Sequence, residues 1–170
     1  MQRSSHVFLG LLLVLSMAGC AELLLIPAGI GYYQTTTSFK YTIKDTPTRP
    51  DVRPDKALVY VIRPDVCCLF SVHFVVYDDG NPVGVTLDKT YFFFYTDPGE
   101  HLITSRAENA SELRLAVAAG ETYYLKQSVR IGFFSPRNDL SIMDPEEAQK
   151  EIEKCKYIET EISETPGVGP

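Results

Sequence analysis

The sequence predicts a mainly β fold: an antiparallel β-sandwich of about eight short strands, with one C-terminal helix packed on it. Three observations carry this expectation. From residue 56 onward, short apolar or alternating runs recur at close spacing, with no helical pattern between them. Gly, Pro and Asp residues punctuate these runs where tight turns need them. Aromatic β-formers are plentiful, with 10 Tyr and 9 Phe but no Trp among 170 residues. A chain of this length can bury one substantial core.

The strands follow in order. ALVYVI (57–62) is continuously apolar, as expected of a strand buried on both faces. VHFVVY (72–77) places Val72, Phe74 and Val76 on one side. Asp79-Gly80 then supplies the positive-φ pair of a tight hairpin. Val83, Val85 and Leu87 alternate in the next strand, with Pro82 at its start or on a sheet edge because it cannot donate to a ladder. YFFFYT (91–96) leads into Asp97-Pro98-Gly99-Glu100, which reads as a type II turn. HLITSRA (101–107) leaves that turn, and a further turn is expected at 108–110. ELRLAV (112–117) points Leu113, Leu115 and Val117 inward. ETYYLKQSVRI (121–131) puts Tyr123, Leu125, Val129 and Ile131 on one face, where Gln127 is the only polar residue. DLSIMD (139–144) reads as a last strand.

One helix is well marked. Asp144 is the N-cap, Pro145 suits the first helical position, and Glu147 completes a capping box. Ala148, Ile152 and Cys155 then fall on one stripe able to cover the sheet. The polar residues 158–170 read as a disordered tail.

The N-terminus has the three parts of a secretory signal. One cation, Arg3, precedes the apolar run VFLGLLLVL (7–15), and small residues follow. The run is too short to span a bilayer. LSMAGC (15–20) resembles the lipobox of bacterial lipoproteins. That resemblance implies cleavage between Gly19 and Cys20 and acylation of the Cys20 sulfur by fatty chains such as palmitate. Several acyl chains give stable anchoring where one is marginal. Ala21, rather than Asp, after Cys20 resembles the pattern directed to the outer membrane, on its periplasmic face. A plain secretory signal with a chance cysteine and an uncleaved membrane helix running through Tyr33 are the competing readings, and Glu22 and Pro27 interrupt the second. Residues 1–19 are thus expected as signal, 20–55 as lipidated anchor and Pro-rich linker, with TSFKYTIK (37–44) able to form a short strand within it, 56–157 as the β-domain and 158–170 as tail.

Formal charge is −6 and the pI about 5.1. Nucleic acid is therefore excluded as a partner, since its phosphates need a basic face. Eight acidic residues and three lysines lie between Asp144 and Glu164, as on a solvated helix face and tail.

Taken together, KALVYVIRP, VYDDGNPVGVTLDKTYFFFYTDPGEHLITS and SELRLAVAAGETYYLKQSV, followed by a short helix, resemble the bacterial lipoprotein domain of unknown function catalogued as family twenty-eight forty-six. The resemblance covers roughly residues 56–156. The stretch from DG.PVG to PGEH is also similar to the PEGA surface module, a small β-domain. Both imply a β-rich envelope lipoprotein, and neither brings a catalytic residue.

Candidate chemistry is sparse. An oxidising envelope favours disulfides, and Cys155 on the helix is placed to meet Cys67 or Cys68; buried thiols are the alternative. Cys67, Cys68 and His73 lack zinc-ligand spacing, so neither metal nor cofactor is expected. His73 alternates with Val75 and Tyr77 and should be packed, whereas His101 should be exposed after its turn. Ser71 and His73 have no evident third group to form a triad, and no catalytic residue is expected. Along YFFFY, Tyr91, Phe93 and Tyr95 share a face. This is the buried side of a central strand or, with Tyr123 or Tyr124, a shelf for a glycan or an envelope protein. A non-catalytic lipoprotein for binding or envelope assembly is the expectation. An envelope redox protein or hydrolase using Cys67/Cys68 and a structural membrane protein are the alternatives.

Overall fold

The computed structural model describes residues 35–64, 72–106, 110–130 and 137–166. Ten strands and one helix make two packed sheets: β1 (Thr35–Lys44), β2 (Ala57–Arg63), β3 (Phe74–Asp78), β4 (Asn81–Thr86), β5 (Thr90–Thr96), β6 (Gly99–Arg106), β7 (Ala110–Val117), β8 (Thr122–Arg130), β9 (Arg137–Ile142), α1 (Pro145–Ile152) and β10 (Lys156–Pro166). The large sheet has the order β1-β10-β5-β2-β8-β9, and the small one β4-β3-β6-β7. The expected mainly β sandwich with a helix near its C-terminal end is thus present. Every described strand pairing is antiparallel except β2 with β8 and β10 with β5, which run parallel.

Strand β2 shows why its sequence is apolar throughout. Ala57, Val59 and Val61 enter the core between the sheets, whereas Leu58, Tyr60 and Ile62 face outward beneath α1. The inter-sheet core draws Phe92 and Phe94 from β5, Leu125 from β8 and Ile158 from β10. They meet Val76, Val85, Ile103 and Leu115 of the small sheet. The second cluster forms on the opposite face of the large sheet, where Met143, Ala148, Ile152 and Cys155 cover the outer side chains of β2 and β5. The large sheet is therefore the middle of three layers.

Local signals explain the turns. Asp79 and Gly80 have φ of 47° and 83° and close the β3–β4 hairpin, with Asp78 opposite Asn81. Such a pair of positive φ values matches the twist of the flanking strands. Strand β4 is an edge, which accommodates Pro82. The Asp144 side chain caps α1, with Oδ1 accepting from the Glu146 and Glu147 N–H groups at 2.8 and 3.3 Å.

Four expectations need correction. The stretch 97–100 is not a type II turn: Gly99 has φ 149°, and β5 and β6 belong to different sheets. The segment is a corner that passes the chain from one sheet to the other. The folded unit also exceeds 56–157. The residues read as a disordered tail form most of β10, and the start of the linker forms β1. These two strands pair over ten positions, from Thr35↔Pro166 to Lys44↔Tyr157. Their polar composition reflects an edge ribbon held by ladder bonds and by pairs such as Lys44–Glu159, rather than by burial. The remaining two corrections exchange the histidines. His73 is exposed, and His101 is largely buried.

Candidate functional site

The outer face of the large sheet carries a row of aromatic rings. Tyr157, Phe93, Tyr60 and Tyr124 follow one another across β10, β5, β2 and β8, with centroid separations of 5.2, 5.7 and 5.2 Å. The first and last pairs are stacked and the middle pair is tilted, arrangements that suit the ring quadrupoles. Strand alternation creates this row, because residues two apart along a strand share a face.

Two segments partly roof the row. On one side lies α1. On the other runs an irregular strap, residues 45–56, whose Pro47, Pro50 and Pro54 keep it out of the sheets. The strap is fastened by tyrosine hydroxyls. Tyr91 Oη accepts from the Thr48 N–H at 3.1 Å and donates to the Thr48 carbonyl at 3.2 Å. Tyr95 Oη donates to the Asp51 carbonyl at 2.6 Å, and the Arg53 guanidinium lies 3.9 Å from the Tyr95 ring centroid.

Between strap and helix remains a cleft of about 170 Å³, lined by Arg49, Pro50, Val52, Leu58, Tyr60, Thr122, Tyr124, Gln149 and Ile152. Gln149 Nε2 donates to Tyr124 Oη at 2.9 Å, so the Tyr124 hydroxyl proton remains available. Tyr60 is 7% exposed. Its hydroxyl has no hydrogen-bond partner among the described residues, unlike those of Tyr91, Tyr95 and Tyr124. Burial pushes the Tyr60 phenol up to about 12, assisted by neighbouring Tyr124 and Tyr91 and opposed by Arg49. The phenol is therefore a donor throughout the physiological range.

The structure thus brings Tyr91, Phe93, Tyr95 and Tyr124 to one face, but it does not make them one open shelf. Tyr91 is fully buried, and the other three are half-buried under the strap and helix. Tyr60 belongs to the same row but was hidden within an apolar run whose continuity suggested only burial. Arg49 stood in a stretch read as linker. Gln149 carried no signal at all. Cys155 is buried under α1, and its Sγ lies 3.9 Å from the Arg63 carbonyl, where β2 ends. Gly19, Cys20, Cys67, Cys68 and Ser71 lie outside the described residues.

A second cluster occupies the sheet-to-sheet corner. His101 Nδ1 meets Asp78 Oδ1 at 2.8 Å and Asp79 Oδ2 at 3.1 Å, and its Nε2–H donates to the Asp97 carbonyl at 2.8 Å. Thr96 Oγ1 donates to the other Asp78 oxygen at 2.7 Å. Burial alone pushes the imidazole down, but the bonds to Asp78 and Asp97, with the Asp78 and Asp79 charges, outweigh it and hold the group above its ordinary value. Asp78, Asp79 and His101 are also the one group with metal-ligand atom spacing among the described residues. Both ring nitrogens already serve hydrogen bonds, however, and the cluster acts as a fastening for the corner. It joins the ends of β3 and β5 to β6, which accounts for the spacing of DDG and DPGEH in the sequence.

A third polar feature ends β2. Arg63 is 1% exposed, ion-paired with Asp88, donating to the Val72 carbonyl at 2.6 Å and lying 4.8 Å from the Phe74 ring centroid. It holds the β4–β5 turn against the start of β3.

A family model matches residues 53–138, about half of the chain, and its description is "Protein of unknown function (DUF2846)". The chain belongs to this family. No curated protein and no solved structure was found to match it. The matched region contains β2 to β8 and the corner cluster. The cleft is composite: Leu58, Tyr60, Thr122 and Tyr124 lie within the match, whereas Arg49, Pro50, Val52, Gln149 and Ile152 lie outside it.

Proposed function

We propose that this protein is a lipid-anchored lipoprotein of the bacterial cell envelope that displays a non-catalytic β-sandwich for binding. Acylated Cys20 is the link to membrane lipid, with the periplasmic face of the outer membrane as its location. The observation that carries this reading is the LSMAGC junction directly behind a nine-residue apolar run. Only fourteen residues separate Cys20 from the start of β1, so an extended tether spans at most roughly 50 Å. No described helix is long and apolar enough to cross a membrane. The binding role is supported by the strap–helix cleft, which offers hydrophobic walls and a few convergent polar groups.

Metabolic labelling with an alkynyl fatty acid, followed by mass spectrometry of the mature N-terminus, tests the anchor. The wild-type chain should begin at a triacylated or diacylated Cys20, and Cys20→Ser should lose the label and accumulate as precursor. An unlabelled wild-type chain that retains Met1 would overturn the reading in favour of the uncleaved-helix alternative.

A further inference from the structure

We infer that the cleft between the strap and α1 is a binding site for a small carboxylate bearing a compact apolar group, such as the carboxyl end of a short peptide. This deepens the binding-module reading and rests on it, but not on the lipid anchor.

The polar groups facing the cleft match an acceptor better than a donor. Tyr60 is nine-tenths buried, but its hydroxyl is not sealed off: it has no hydrogen-bond partner among the described residues and remains accessible at the cleft wall. An acceptor in the cleft would satisfy it. Tyr124 already accepts from Gln149 and retains its own proton to donate. Arg49 is the only charged side chain among the nine lining residues, and it has no carboxylate partner among the described residues. Its influence on the Tyr60 and Tyr91 phenols places its charge near both. Two phenolic donors and one guanidinium with no carboxylate partner among the described residues therefore line one cleft, whose wall carries no acidic side chain. That pattern favours an anion, and a planar carboxylate matches the guanidinium fork.

The remaining walls define the rest of the ligand. Leu58, Ile152, Val52 and Pro50 are apolar. A volume of about 170 Å³ is below the usual range for a drug-sized ligand, roughly 300 Å³ and upward, so the cleft fits about one residue. Because so small a contact yields little binding energy, millimolar affinity for an isolated residue is expected.

The probe is N-acetyl-L-valine, compared with its uncharged amide, titrated into the isotope-labelled full chain and followed by the ring resonances of Tyr60 and Tyr124. The acid should produce saturable shifts, and the amide should bind at least fivefold more weakly. Arg49→Gln and Tyr60→Phe should each weaken the acid by at least fivefold with resonances remote from the cleft unchanged; neither removes a hydrogen bond or ion pair among the described residues. Equal shifts from acid and amide would overturn the carboxylate assignment while leaving the binding module intact. No shift at either ring would overturn the site itself. Neither result bears on whether Cys20 is acylated, which the labelling experiment decides separately.

Discussion

Gly84 offers the most direct check of the packing between the sheets. It lies in β4, buried, next to the bulge that shifts the β3–β4 register between Val76 and Tyr77. A Cβ at this position would stand 2.5, 2.7 and 2.8 Å from three ring carbons of Phe92. Carbon atoms pack comfortably at about 3.5–4.0 Å, so Gly84→Ala demands a displacement of roughly 1 Å. Phe92 is 3% exposed and lies 6.2 Å from the Phe94 ring, leaving little room for the move. Overpacking of this kind costs about 1–3 kcal/mol. For a folded unit of this size, that lowers Tm by roughly 4–12 °C. Thermal unfolding monitored by circular dichroism would measure it. The decisive comparison is the double variant Gly84→Ala/Phe92→Leu. Shortening the ring removes the clash, so the double variant should be more stable than the sum of the two single losses by about 1 kcal/mol or more. A stability loss below about 0.5 kcal/mol for Gly84→Ala, or strict additivity in the double variant, would refute this account of the glycine.

Two further outcomes follow from the polar interior. Gln127 is fully buried, with Nε2 donating to Ser105 Oγ at 2.6 Å and Oε1 accepting from Thr86 Oγ1. Gln127→Leu leaves both hydroxyls unpartnered and should cost about 2–4 kcal/mol by urea denaturation; adding Thr86→Val and Ser105→Ala should restore most of it. For His101, the folded state raises the imidazole above its ordinary value, so its contribution is complete below about pH 6.5 and is lost as pH rises through the folded pKa. The stability difference between wild type and His101→Gln, measured in urea from about pH 5 to 9, should therefore shrink with rising pH. A constant difference would show that the corner does not depend on the imidazolium.

What could be read from the sequence was local. Asp79-Gly80, the Asp144 cap and the outward Tyr91-Phe93-Tyr95 face each depend on residues within a few positions of one another. What escaped was non-local. Gln127 stood out as a polar residue on an apolar face, but its partners lie 22 and 41 positions away on the opposite sheet. His101 looked exposed because it follows a turn, whereas the corner places it beside Asp78 from another strand. TSFKYTIK was legible as a short strand, but the polar residues of β10 were not, so the pairing of β1 with β10 left no apolar signature, and a strap built of prolines resembled a linker. The cleft inherits both difficulties: Arg49 and Gln149 become neighbours of Tyr60 only after strap and helix settle on the same sheet face.

The union of β1 with β10 has a mechanical consequence. Thr35 lies opposite Pro166, and the two strands run in opposite directions from that point. A pull applied between these ends would peel the ribbon apart one rung at a time, a low-force mode, instead of shearing all its bonds together. The first part to yield under tension would be this ribbon, while the three-layered body stayed intact.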